Sequence, residues 1–128
     1  ILWVKMVLMD KKQIGQWGEN RAAEFLQEKG YEIIARNQRT PYGELDLVVR
    51  SADEIIFVEV KTRTSRRYGY PEEAVTPRKR EHLLNAIACF LQEHPEWEQP
   101  WRVDVIAIEG NPDESSPRIT WFENAIRA

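Results

Sequence analysis

The sequence predicts a mixed α/β fold, a central β-sheet flanked by helices in the order α-β-β-β-α-β-β. Three observations predict it. Two stretches carry apolar residues at helical spacing, five short runs alternate or are β-branched, and glycine and proline punctuate the boundaries between them. Strands interleaved with helices bury their apolar faces as a sheet packed against helices. The 128 residues suffice for one domain and leave no room for a second.

Taken in order, Ile14, Trp17, Ala22, Phe25 and Leu26 mark one face of a helix from Ile14 to Lys29, and Gly30 follows as a C-terminal glycine. Tyr31 to Asn37 reads as a strand, and Pro41-Tyr42-Gly43 as a turn. Glu44 to Arg50 alternates, which predicts Leu45, Leu47 and Val49 on one face and Glu44, Asp46 and Val48 on the other. Ile55 to Lys61 is a strand rich in β-branched residues. Thr64 to Thr76, with Gly69 and Pro71, predicts a long loop. Thr76 then N-caps a helix with Pro77 in its first turn, carrying Leu83, Leu84, Ile87, Ala88, Phe90 and Leu91 and ending before Pro95. Val103 to Ile108 and Ile119 to Phe122 are the closing strands, with a polar turn between them. Residues 1–13 are expected to be an N-terminal extension, and 14–128 the domain. Met9-Asp10-Lys11-Lys12 resembles a natural start, which sets residues 1–8 apart.

Composition narrows the function classes. With 42% hydrophobic and 30% charged residues the chain is of ordinary globular type. The apolar opening from Ile1 to Met9 is too short to span a bilayer and lacks the basic region of a secretory signal. A lone Cys89 makes no internal disulfide, which points to a reducing compartment, the cytoplasm, and excludes a four-cysteine zinc site. No membrane partner is expected. The net charge of −3 argues against coating nucleic acid by bulk electrostatics. The cations are nevertheless bunched, at Lys61, Arg63, Arg66 and Arg67 and again at Arg78, Lys79 and Arg80, a pattern that suits local phosphate binding or a solvated charged loop.

Chemistry concentrates on two neighbouring strands. Glu59 and Lys61 leave the same strand face, roughly 6–7 Å apart along it. If Ser51-Ala52-Asp53-Glu54 is a four-residue hairpin loop, Arg50 pairs with Ile55 and Asp46 falls opposite Glu59, with Cβ atoms about 4.5–5.5 Å apart. Facing carboxylates repel unless a cation lies between them, and oxygen ligands suit Mg²⁺ or Mn²⁺. The carbonyl of Val60 is placed as a third ligand. A lysine there can orient a water and stabilise charge on a phosphoryl group. The same residues also fit a solvated face on which Glu59 and Lys61 form an ion pair. Glu19 has Ala22, Ala23 and Leu26 as its neighbours on the helix, so it leans towards the packed side and needs a partner, though a helix-dipole role fits its position equally. Arg63 and Lys79 are further phosphate candidates. Asp104 is either a support of the site or an ion-pair partner of Arg102.

Gly15-Gln16-Trp17-Gly18-Glu19, Gly43-Glu44-Leu45-Asp46-Leu47, Phe57-Val58-Glu59-Val60-Lys61-Thr62-Arg63 and Arg102-Val103-Asp104-Val105 together resemble the UPF0102 (YraN-like) family. The resemblance covers about residues 14–126, in the expected order. That family is similar to archaeal Holliday junction resolvases within the restriction-endonuclease-like PD-(D/E)xK superfamily. The resemblance implies a restriction-endonuclease-like core, with Asp46 as the metal-binding aspartate, Glu59 and Lys61 as the (D/E)xK pair, and Glu19 as the helix glutamate of the resolvase-like branch. One departure is Leu45 where the motif has proline. The resemblance further implies a Mg²⁺- or Mn²⁺-dependent endonuclease acting on DNA, branched or junction DNA included. Asp46, Glu59, Lys61 and Glu19 are its expected catalytic residues, Asp46, Glu59, Val60 and Glu19 its metal ligands, and Arg63, Arg66, Arg67 and Lys79 its nucleic-acid contacts. Symmetric cleavage of a junction implies a homodimer. The alternative is a non-catalytic nucleic-acid-binding domain that keeps the nuclease fold.

Overall fold

Asp10 starts the fold: its carboxylate accepts from the Gln13 N–H at 2.8 Å while the Gln13 side chain accepts from the Asp10 N–H at 3.0 Å. This reciprocal cap satisfies two amides that a helix leaves unpaired, so α1 (Lys11–Glu28) begins three residues ahead of the expected Ile14. The computed structural model describes residues 9–64, 75–113 and 116–126. Residues 1–8, expected to belong to an extension, and most of the expected 64–76 loop, Arg66 and Arg67 among them, lie outside the described residues.

Five strands keep the expected order: β1 (Glu32–Thr40), β2 (Gly43–Arg50) and β3 (Ile55–Arg63), then α2 (Pro77–Glu93), then β4 (Trp101–Glu109) and β5 (Arg118–Ile126). A single 3₁₀ turn, Pro95–Trp97, follows α2. Thr76 caps α2 as expected, its hydroxyl accepting from the Lys79 N–H at 3.2 Å, with Pro77 leading the first turn. The sheet is mixed, in the order β1-β2-β3-β4-β5. Of the described strands only β3 and β4 run parallel, and α2 makes the crossover between them, as a parallel connection requires.

Each helix covers one face. Under α1 lie Leu47, Val49, Ile56, Val58, Ile106 and Ile108. Under α2 lie Val48, Ile55, Phe57, Val103, Val105 and Ile126. Because both faces of β3 and β4 are covered, these strands are apolar at successive positions rather than at alternate ones.

The β2–β3 register is the one the hairpin count predicts, from Arg50–Ile55 to Leu47–Val58, where the ladder stops. Alternation in β2 stops with it. The expectation that Leu45, Leu47 and Val49 share a face is corrected: Leu45 packs with Val48 under α2, while Leu47 and Val49 pack under α1. The change centres on Asp46, which faces Asn37 between the pairs Arg36–Leu47 and Gln38–Leu45. Asn37 has φ 48, a left-handed conformation that asparagine tolerates better than most residues. With that kink β1 continues three residues past its expected end, up to the turn that Gly43 closes at φ 132.

At the opposite margin β5 is likewise longer than expected, because its register shifts between Val103 and Val105 and Asn124 adopts φ 50. The buried Asp104 carboxylate fills the irregularity. It accepts from the Asn124 N–H at 2.7 Å, from Trp121 Nε1 at 2.8 Å and from Arg102 Nε at 3.0 Å. Arg102 also pairs with Glu54 at 2.6 Å and Glu123 at 3.0 Å. The two readings of Asp104 are thereby decided in favour of the ion pair, which reaches towards the β2–β3 loop.

Candidate active site

The site forms where β2 and β3 part. Beyond Leu47 the strands no longer pair, and the Asp46 carboxylate enters the gap, Oδ2 accepting from the Val60 N–H at 2.9 Å. A side chain thus takes the place of a ladder carbonyl and is fixed in the plane of the sheet. The sequence suggested the Val60 carbonyl as a ligand; what the structure places on Asp46 is the Val60 amide.

On the α1 side Asp46 meets two further carboxylates. Oxygens of Glu19, Glu44 and Asp46 all lie within 4.8 Å of one another. Asn37 ties two of them together, its Nδ2 donating to Glu19 Oε1 at 2.7 Å and to Glu44 Oε1 at 2.9 Å. Glu19 reaches the cluster because α1 runs very close to β3 at the preceding residue. A Cβ on Gly18 would stand 1.9 Å from Thr62 Oγ1, so only glycine permits this approach.

On the α2 side lie Glu59 and Lys61. They share a strand face as their spacing predicts, and they pair at 3.2 Å. Lys61 is only 8% exposed, which makes this a largely buried ion pair rather than a solvated charged face. Across a cavity of about 230 Å³, the first turn of α2 brings Lys79 to the same place, against an apolar wall of Val75, Leu83 and Ala86. Glu44 lines this cavity and also the neighbouring pocket that holds Glu19 and Asn37, so the two halves of the site meet at Glu44.

Electrostatics follow from this crowding. Burial, and after it the Glu59 carboxylate, push the Asp46 carboxyl up from 3.8 to about 8, with Glu19 adding to the effect and the Val60 N–H and Lys61 opposing it. Lys61 and burial hold Lys79 below the usual ammonium range. A carboxylate that resists ionising among other carboxylates is relieved by a cation, and three hard oxygen donors suit Mg²⁺, Mn²⁺ or Ca²⁺ more than a softer ion. The residues therefore fit a divalent cation.

Of the residues expected from sequence, Glu19 and Asp46 come together. Glu59 and Lys61 lie beside them as a pair, with Glu59 near enough to perturb Asp46 but outside the three-carboxylate group. Arg63 turns back on its own strand, Nη1 donating to the Thr62 carbonyl at 3.1 Å, yet stays close enough to bear on Lys79. Glu44 and Asn37 were missed. Glu44 was within reach of the argument, two residues before Asp46 on an alternating strand. Asn37 had no such signal in the strand pattern, since its place depends on a positive φ, although Arg36-Asn37 is among the residues that resemble the family.

Comparison with known proteins places the chain in a family. The model of the uncharacterised protein family UPF0102 matches residues 18–108, a span that holds Glu19, Asn37, Glu44, Asp46, Glu59, Lys61 and Lys79, and the chain belongs to that family. A UPF0102 protein of Syntrophomonas wolfei is 50% identical over 97 residues, 76% of this chain and 84% of that protein. One from Symbiobacterium thermophilum is 43% identical over 117 residues, 91% of this chain and 98% of its own. A further relative, from Dehalococcoides mccartyi, is 38% identical over 91% of this chain and 95% of its own. The solved structure of Pyrococcus furiosus SfsA in complex with Ca²⁺ is similar at a TM-score of 0.39 and 19% identity, over 93% of this chain and 66% of that one, a likeness too distant to carry an argument.

Proposed function

We propose that this member of the UPF0102 family is a metal-dependent endonuclease of the restriction-endonuclease-like PD-(D/E)xK class, hydrolysing phosphodiester bonds in DNA, branched or junction DNA included. The observation that carries the reading is the buried Lys61, held by Glu59 at 3.2 Å on the strand whose next backbone amide, that of Val60, fixes Asp46. A solvated surface has no need to bury a lysine beside facing carboxylates, and a domain that only binds nucleic acid gains nothing from repulsion among acids.

Glu19, Glu44 and Asp46 would hold the cation, Mg²⁺ or Mn²⁺, with Glu59 beside them. When bound, such an ion supplies Lewis-acid polarisation of the phosphodiester and lowers the pKa of a water. The chain's own residues do the rest. Lys61 presents its ammonium where charge grows on a non-bridging phosphoryl oxygen, and Glu59 keeps it oriented. Lys79 faces the same cavity and contacts phosphate from the α2 wall, with Arg63 behind it. Arg66 and Arg67 extend this cationic border in sequence. A homodimer and a cytoplasmic location accompany the reading, since two cuts in a symmetric junction need two sites.

Cleavage of linear, single-stranded, flap and four-way DNA in Mg²⁺ and Mn²⁺ tests it, with Lys61→Ala and Asp46→Asn as controls whose folding is checked by melting. Metal-dependent scission of at least one substrate, lost in both variants, is expected. Tight binding without scission across the panel would overturn the enzyme reading in favour of a non-catalytic nucleic-acid-binding domain.

A further inference from the structure

Tyr42 stands out on the turn between β1 and β2. It is a large aromatic residue, 50% exposed, and has no ring partner among the described residues. The turn that carries it is firmly built. The Thr40 hydroxyl donates to the Gly43 carbonyl at 2.7 Å and accepts from the Tyr42 N–H at 3.1 Å, and Gly43 closes the turn in a conformation that L side chains rarely adopt. An exposed tyrosine on a rigid turn loses little entropy when it stacks on something.

Its position supplies the something. Tyr42 lines the same cavity of about 230 Å³ as Glu59, Lys61 and Lys79. Val75 and, from α2, Leu83 and Ala86 give the cavity an apolar surface, with His82 beside them. An aromatic residue, an apolar surface and two lysines, Lys61 held by Glu59, match the three parts of a nucleotide: a π-face, a ring edge and a phosphate. A base inside a continuous duplex has both its faces covered by neighbouring bases. Only an unstacked base can enter a cavity lined in this way.

We propose that the cavity between the β1–β2 turn and α2 takes one unpaired, unstacked nucleotide beside the phosphodiester to be cut, with Tyr42 stacking on its base and Lys79 on its phosphate. The inference rests on the nuclease reading and sharpens it: the substrate class is DNA with an unpaired nucleotide at the cleavage position, as in a flap, a bulge or a single strand. Tyr42 is then a specificity-determining residue, outside the machinery of hydrolysis.

The test uses the full chain in Ca²⁺ with oligonucleotides carrying 2-aminopurine, a base whose fluorescence falls on stacking, either as the first unpaired nucleotide of a flap or inside a perfect duplex. Quenching of the flap probe and not of the duplex probe is expected. Tyr42→Ala should abolish the quenching and weaken flap binding about 5- to 140-fold, the worth of stacking one base. Tyr42→Phe should restore both, and Lys79→Gln should weaken binding while leaving the quenching of bound probe in place. As the turn is exposed, melting temperatures should match the parent. Equal binding by Tyr42→Ala and parent, or equal cleavage of duplex and flap, would overturn the subsite and leave the nuclease reading standing. Failure of the parent to bind any probe would overturn both.

Discussion

Replacing Asp46 by asparagine should stabilise the cation-free protein, although it removes a group central to the site. In the folded chain the Asp46 carboxyl titrates at about 8 against 3.8 for an unperturbed aspartate. A folded pKa raised above the unfolded one gives a contribution that is fully present below 3.8 and lost as pH rises through about 8. At pH 7 that loss spans roughly three pKa units, or about 4 kcal/mol at ~1.36 kcal/mol per unit. Water reaching the cluster and the weaker hydrogen bond of an amide oxygen to the Val60 N–H both reduce the gain, so about 1–3 kcal/mol is expected. For a domain of this size that is roughly 3–5 °C in Tm per kcal/mol. The measurement is urea or thermal unfolding of Asp46→Asn and parent in EDTA from pH 4 to 9, then in Mn²⁺. The two proteins should agree near pH 4, separate as pH rises, and run parallel above about pH 8. At a Mn²⁺ concentration ~100-fold above its dissociation constant, the parent should gain about 2.7 kcal/mol and the variant far less. A variant no more stable than the parent at pH 8, or equal stabilisation of both by Mn²⁺, would refute the reasoning.

Three further perturbations separate the parts of the structure. Gly18→Ala should cost about 1–3 kcal/mol by driving a methyl into Thr62 and should weaken Mn²⁺ binding by displacing Glu19, and Thr62→Ala in the same chain should recover part of both, as a double-mutant cycle by urea unfolding and calorimetry would report. Asn37→Ala should lose about 1–3 kcal/mol through the strain of its φ of 48, whereas Asn37→Gly relieves the strain but still frees Glu19 and Glu44; if Mn²⁺ affinity is unchanged in the glycine variant, the amide does not organise the carboxylates. Asp104→Ala should cost roughly 2–4 kcal/mol, since it leaves Trp121 Nε1 and the Asn124 N–H without their acceptor while Arg102 keeps Glu54 and Glu123, yet leave the Mn²⁺ shift intact.

Much of this arrangement was legible in the sequence because it rests on local rules. The two-residue spacing of Glu59 and Lys61 fixed their common face, and Ser51 to Glu54 fixed the register that carries Asp46 to the end of the β2–β3 ladder. Thr76 and Pro77 announced α2. What was not legible depends on departures from those rules. Opposite the left-handed Asn37 the packed face of β2 changes between Leu47 and Leu45, and no pattern of apolar residues encodes that. Asp46 hydrogen-bonds to the Val60 amide beyond the end of the ladder, so the expected cross-strand pair of Asp46 with Glu59 does not form. The nearness of Lys79 to Lys61 arises from the crossover, a contact between distant parts of the chain that periodicity cannot foresee.

The parallel pairing of β3 with β4 also bears on how the protein is made. Glu19, Glu44, Asp46, Glu59 and Lys61 all leave the ribosome before the strand that flanks β3 exists. Until β4 arrives through the crossover, β3 offers an open edge and an apolar run from Ile55 to Val58 with one side unpaired, the kind of template on which nascent chains aggregate. The half of the chain that carries the carboxylates is therefore the half most in need of the rest, and the group formed by Glu19, Glu44 and Asp46 is expected to lose its order in an isolated N-terminal piece.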